Sequence, residues 1–95
     1  MQFDHYQKLY AAFNEEHFPS ASLEEIEDKM LEEMDELAFE IADGGTLENK
    51  INECLDNFNM SVKLLTAYGV KDICHAAAAK LDLTSAKYRA ANNAN

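Results

Sequence analysis

The sequence predicts an all-α fold, an antiparallel bundle of four to five helices, and three observations lead there. Its 95 residues include only three glycines and one proline, too few for the turns of a hairpin-rich protein. Apolar residues recur three and four apart over long stretches, the spacing of one helix face. Nowhere do apolar and polar residues alternate as they would along a half-buried strand. A chain of this length can close around one modest core, so residues 1–95 are expected to form a single domain.

Phe3, Tyr6, Tyr10 and Phe13 place an aromatic stripe on a first helix over residues 2 to about 15, and the stripe is expected to be core. Pro19, Ser20 and Ala21 end this N-terminal helix and linker, which occupies residues 1–20. Ser22 and Glu25 then form the S-x-x-E capping box of a second helix. Leu23, Ile26, Met30, Met34, Leu37 and Ile41 make its apolar stripe, which is expected to be buried, and Asp43-Gly44-Gly45 stops it. Thr46 caps a third helix whose stripe runs through Leu47, Ile51, Cys54 or Leu55, Phe58, Val62 and Leu65 to Tyr68-Gly69. The short turn between these helices of matched length predicts that they lie side by side and antiparallel. A fourth helix starts near Asp72, with an interruption expected near Leu83-Thr84, and residues 90–95 read as a disordered tail.

Met60, Leu64, Ala67 and Tyr68 lie beside the main row of the third helix and exceed what one stripe needs. Part of that surplus is expected to be covered by another subunit, so a homo-oligomer, either homodimer or homotetramer, is predicted. Cys54 and Cys74 have neither CxxC spacing nor a zinc-finger histidine and are read as buried thiols. His5, His17 and His75 lack partner spacing and are read as surface or capping residues. No apolar run approaches the length of a membrane span and no basic-then-apolar signal segment is present, so a cytoplasmic protein without membrane contact is expected. The net charge of −10 argues against direct nucleic-acid binding, because such a surface repels a phosphate backbone.

The acidic residues are not evenly scattered. Lys29, Glu32, Glu33, Glu36 and Glu40 fall on or beside one face of the second helix, and Glu53 and Asp56 repeat an i, i+3 spacing on the third. Glu36 lies nine residues before Gly45 and Glu53 eight after it, so antiparallel pairing brings the two pairs to one level. Four carboxylates at one spot repel each other unless cations or protons neutralise them. Magnesium suits such an all-oxygen set, whereas zinc or iron sites normally include histidine.

The segment Lys29-Met-Leu-Glu32-Glu33-Met-Asp-Glu36-Leu37, followed after a Gly-rich turn by Glu53-Cys-Leu-Asp56, resembles the EExxE and ExxD motifs of the MazG-like, all-alpha nucleoside triphosphate pyrophosphohydrolases. A weaker likeness extends through Ala79-Lys80-Leu81 to Ala86-Lys87-Tyr88, so the resemblance covers roughly residues 23 to 89. It implies conversion of a nucleoside triphosphate to the monophosphate and pyrophosphate, with Mg2+ (or Mn2+ as a substitute) held by Glu33, Glu36, Glu53 and Asp56. It also implies Glu32 as an auxiliary acidic residue that orients water, and Glu32 or Glu36 is the candidate catalytic base. Lys29, Lys80 and Lys87 are the candidates for contacting phosphate, although Lys29 has an equally ordinary role in pairing with neighbouring glutamates. Phe3, Tyr6, Tyr10 and Phe58 are available to stack on a base. The chain departs from the family pattern at Met34-Asp35, at Asn57, and at Lys87, where an arginine is usual. The competing expectation is an acidic helical interaction protein that binds and blocks a basic partner.

Overall fold

The computed structural model describes residues 2–93. Among them are four helices and no strand, packed as a bundle: α1 (Phe3–His17), α2 (Leu23–Ala42), α3 (Leu47–Ala67) and α4 (Ile73–Asn93). Each of the last three begins on a side-chain cap. The Ser22 hydroxyl accepts from the Glu25 amide at 3.1 Å, Thr46 from Asn49 at 3.2 Å, and the Asp72 carboxylate from His75 at 2.9 Å. Gly44 (φ +68°) and Gly69 (φ +95°) take the left-handed conformation that ends α2 and α3.

α4 corrects two expectations. It runs without interruption past Leu83-Thr84, because the Thr84 hydroxyl donates to the Lys80 carbonyl at 2.9 Å and is satisfied within the helix. Residues 90–93 are helical rather than disordered, in keeping with the helix propensity of Ala90 and Ala91. Ala94 and Asn95, the rest of the expected tail, lie outside the described residues.

α2 and α3 form the antiparallel hairpin that the short turn predicts. Moving back along α2 from Glu33 to Met30 to Glu27, the side-chain partners advance along α3 from Asn57 to Ser61 to Tyr68. The face each helix presents to the other differs from expectation. Of the predicted α2 stripe only Ile26 is buried, Met30 and Leu37 are half-buried, and Leu23, Met34 and Ile41 are exposed. On α3 the predicted row is exposed at Leu47, Ile51, Cys54, Leu55, Phe58 and Leu65, and only Val62 is buried. The neighbouring row, expected to be surplus, faces inward: Met60 is buried, and Asn57, Ser61 and Leu64 are half-buried. The cause is rotational, since polar ties at Asn57 and Ser61 turn α3 so that its strongest apolar row points away from α2. The same turn leaves Cys54 exposed, and Cys74 on α4 is exposed too, so neither is a buried thiol.

α1 leans on α3 through its aromatic residues. Phe3 and Tyr6 pack on the Phe58 ring at 6.0 and 5.9 Å between centroids, and the Tyr6 hydroxyl donates to the Asn59 side-chain carbonyl. Tyr6, Tyr10 and Phe13 stack in sequence at 6.1 Å. No α1 residue is fully buried and Phe13 is exposed, so the stripe docks a helix without forming an enclosed core. Among the described residues the buried apolar ones are Ile26, Met60, Val62 and Ile73.

Gly44 carries the left-handed turn on which the hairpin register depends, and a methyl there meets no neighbour. Gly44→Ala is therefore expected to cost about 1 kcal/mol through backbone conformation alone. Urea unfolding at fixed protein concentration measures it, and an unchanged midpoint would show that the turn tolerates the substitution.

Candidate metal centre

The hairpin brings Glu33 of α2 together with Glu53 and Asp56 of α3. One carboxylate oxygen from each lies within 4.8 Å of the others. Glu33 is buried, Glu53 half-buried and Asp56 exposed, so the group opens from the helix seam towards solvent. Two oxygens decide its character: Glu33 Oε2 and Glu53 Oε2 are buried without a hydrogen-bond partner. A buried carboxylate oxygen with nothing to accept from is costly. The remaining donor set is oxygen only, which suits a hard divalent cation such as Mg2+ or Mn2+.

The other oxygen of Glu33 is engaged, with Lys29 Nζ 3.3 Å from Oε1. Lys29 also reaches Glu32 at 3.5 Å, and the bond to Glu33 is the main reason its ammonium is held above its ordinary range. Its resting position is thus a brace that orients Glu33. Glu36 is exposed and lies outside the three converging carboxylates, but next to them. Its carboxyl is pushed above the ordinary 4.5, first by the charge of Glu33, then by desolvation and the charge of Glu53. Glu32 and Glu36 line a shallow acidic groove with Asp35, Phe39, Glu40 and Glu53. Lys80 and Lys87 sit elsewhere, in a groove formed wholly by α4 with Leu83, Thr84, Tyr88 and Ala91.

Two contributors were missed in the sequence. Asn57 donates from Nδ2 to the Glu33 carbonyl at 2.9 Å and to the Glu53 carbonyl at 2.8 Å, tying the backbones that carry two of the acids. Its signal was an amide immediately after the ExxD aspartate, where the family pattern has an aliphatic residue. The second is a cleft of about 270 Å³ between α1 and the hairpin, lined by Tyr10, Phe13, Phe18, Lys29 and Lys63 among others. The Lys63 ammonium lies 4.7 Å from the Phe18 ring centroid, and burial holds its pKa below the ordinary range. Tyr10 links cleft and acids, since Asp56 and Glu33 add to the desolvation that raises its phenol. Phe3, Tyr6 and Phe58 pack on one another where α1 meets α3 and do not line this cleft.

Compared with protein-family models, curated proteins and solved structures, the chain matches none. The motif resemblance therefore rests on the spacing of these acids.

Replacing Asn57 by leucine should lower stability by about 1–2 kcal/mol, the range for losing two hydrogen bonds from one side chain. It should also weaken Mn2+ binding, read by electron paramagnetic resonance, and unchanged affinity would remove Asn57 from the support of the centre. Glu36 sets a pH dependence in the metal-free protein. With its folded pKa raised, its stabilising contribution is complete below the ordinary value and lost as pH rises through the folded one. Calorimetric scans in chelator should therefore show a higher melting temperature at about pH 5 than at about pH 7, and Glu36→Gln should reduce the difference.

Proposed function

We propose that this protein is a magnesium-dependent nucleoside triphosphate pyrophosphohydrolase, converting an NTP or dNTP to its monophosphate and pyrophosphate. The observation that carries the reading is the pair of buried, unpartnered oxygens on Glu33 and Glu53, two carboxylates that converge with Asp56 from two helices. Such an arrangement is stabilised by a cation, and its spacing is that of the EExxE and ExxD motifs.

Glu33, Glu53 and Asp56 would hold the metal, with Glu36 at the open edge completing the set. Bound there, magnesium supplies Lewis-acid activation of water and neutralises triphosphate charge. Glu36 or Glu32 accepts the proton of the attacking water as its oxygen bonds to the α-phosphorus. The bond from that phosphorus to the bridging oxygen breaks, and pyrophosphate leaves with the electron pair. Lys29 is placed to exchange its contact with Glu33 for a phosphate oxygen as a point charge. The cleft beside Lys29 offers aromatic faces at Tyr10, Phe13 and Phe18 for the base. Lys80 and Lys87 complete the phosphate-binding set only in a homodimer or homotetramer that brings α4 to an acidic centre.

The reading places the protein in the cytoplasm, where nucleotides are. No helix among the described residues is long and apolar enough to cross a membrane, in line with the proposed absence of membrane contact. The same net charge supports the proposed absence of direct nucleic-acid binding.

Incubation of the full chain with common triphosphates should release pyrophosphate with magnesium and not with excess chelator. Glu53→Gln should reduce the rate about 100-fold or more, the scale of removing one electrostatic contact to a phosphoryl-transfer transition state, with the helical circular dichroism retained. An active Glu53→Gln chain would overturn the assignment. Calorimetry without magnesium binding, combined with salt-sensitive capture of a basic protein, would favour the acidic interaction protein instead.

A further inference from the structure

The cleft between α1 and the hairpin holds a lysine that the fold leaves without a polar partner. Lys63 is half-buried, and its ammonium lies against the Phe18 ring, 4.7 Å from the centroid. The chain has eighteen acidic residues, yet among the described residues none forms an ion pair with Lys63, and its ammonium donates no hydrogen bond. Burial disfavours the charge, and no anion offsets that cost. A lysine ammonium has three donors and no acceptor, so a ligand that completes Lys63 must bring acceptor atoms.

The walls beside it are flat and apolar. Tyr10 and Phe13 stack with their planes 9° apart, and Phe18 tilts against Phe13 at 6.3 Å between centroids. The cleft of about 270 Å³ shares Tyr10, Asn14, Ile26 and Lys63 with a second space of about 240 Å³ beneath α1, so a planar double ring has room. One carboxylate lines the same cleft. Glu25 accepts from the Ser22 hydroxyl at Oε1, 3.1 Å away, which leaves Oε2 to accept from a ligand.

Cleft and acidic centre lie in line. Glu25, Lys29 and Glu33 follow one another at i, i+4 and i+8 on α2, and Asp56, Met60 and Lys63 at i, i+4 and i+7 on α3. Helical rise puts Glu25 about 12 Å from Glu33 along the axis. The ties from Asn57 to Glu33 and from Ser61 to Met30 bring Lys63 to within about one helical turn of the level of Glu25. A nucleotide with its phosphates at the acidic centre and Lys29 midway therefore extends its base between Lys63 and Glu25.

We infer that this cleft selects guanine, with Lys63 donating to O6 and N7, Glu25 accepting from N1–H and the 2-amino group, and the aromatic side chains covering the ring. The inference rests on the triphosphate reading of the acidic centre and names the substrate class of that site. An ammonium on one side and a carboxylate on the other match the acceptor and donor edges of guanine. Adenine and cytosine present an amino group where guanine has O6, which sets donor against donor at Lys63. Uracil and thymine offer a carbonyl to Lys63 but no amino group to Glu25, and a single ring stacks over less of the aromatic wall.

Titration calorimetry on the full chain in chelator reads base preference without turnover. GMP should bind at least about tenfold more tightly than AMP, CMP or UMP, and at least about fivefold more tightly than IMP, which lacks the 2-amino group. Lys63→Met keeps an apolar stem and should bring GMP and AMP within about threefold of each other. Glu25→Leu should erase the preference for GMP over IMP while keeping that over AMP. It spares the cap of α2, because the Ser22 hydroxyl accepts from the Glu25 backbone amide. AMP or UMP binding as tightly as GMP, or no binding of any of them, would overturn the inference. Tight GMP binding by a chain that releases no pyrophosphate would uphold the cleft and remove only the hydrolytic reading. Equal kcat/KM for all four common triphosphates would uphold hydrolysis and remove the guanine assignment.

Discussion

The repulsion among Glu33, Glu53 and Asp56 is the constraint on which the hairpin depends. Carboxylates forced within a few ångströms of each other raise the free energy of the arrangement that creates them, and burial of two of their oxygens adds to it. Such a cluster persists only if the backbone holds it from elsewhere. Here the Asn57 amide ties the Glu33 and Glu53 carbonyls, Ser61 meets Met30, and the Tyr68 hydroxyl bonds to Glu27 at 2.7 Å. Lys29 neutralises one oxygen of Glu33 and leaves the other unpaired. The seam is strong in specific ties and poor in apolar burial, which keeps the acids in register without burying them in hydrocarbon.

Much of this architecture was legible in the sequence because it is written in local chemistry. The caps at Ser22 and Thr46, the stop at Gly44-Gly45 and the stop at Gly69 act over a few residues each, and the helices begin and end beside them. The antiparallel pairing followed from the short turn, and counting outward along both helices put Glu36 level with Glu53, whereas the carboxylate that meets Glu53 and Asp56 is that of Glu33. Rotation about each helix axis was not legible. Periodicity identifies a stripe but not what covers it, and the most apolar row was assigned to the intramolecular core. A lone asparagine and a serine, too weak to register as a pattern, turn α3 instead. The error at Cys54 has the same origin, since a thiol in an apolar row reads as buried only while the row itself is taken to be inside.

The candidate site was legible in part for a related reason. Glu33, Glu53 and Asp56 meet because the antiparallel pairing turns them towards one point of the seam, whereas Glu36, one turn nearer the loop on the same helix, faces the groove. Lys80 and Lys87 belong to a helix whose position depends on the Gly69–Asp72 link and on contacts that local rules do not encode. The aromatic stripe on α1 was recognised, yet its division into a docking half at Phe3 and Tyr6 and a cleft half at Tyr10 and Phe13 depends on where α3 offers Phe58.

These features bear on one another through charge. The hairpin keeps exposed Met34, Ile41, Leu47 and Ile51 on the side of the seam away from Glu33, Glu36, Glu53 and Asp56, so the carboxylate cluster and these apolar residues do not share a face. The rotation that leaves Leu23, Met34 and Ile41 of α2 and most of the predicted α3 row outside is the one that turns Glu33 and Glu53 into the seam, because on a helix the two faces are fixed relative to each other. A hairpin that buried its own apolar rows would move its acids apart and lose the cluster. Exposed apolar surface on one side and converging carboxylates on the other are consequences of a single choice of helix rotation, held by Asn57.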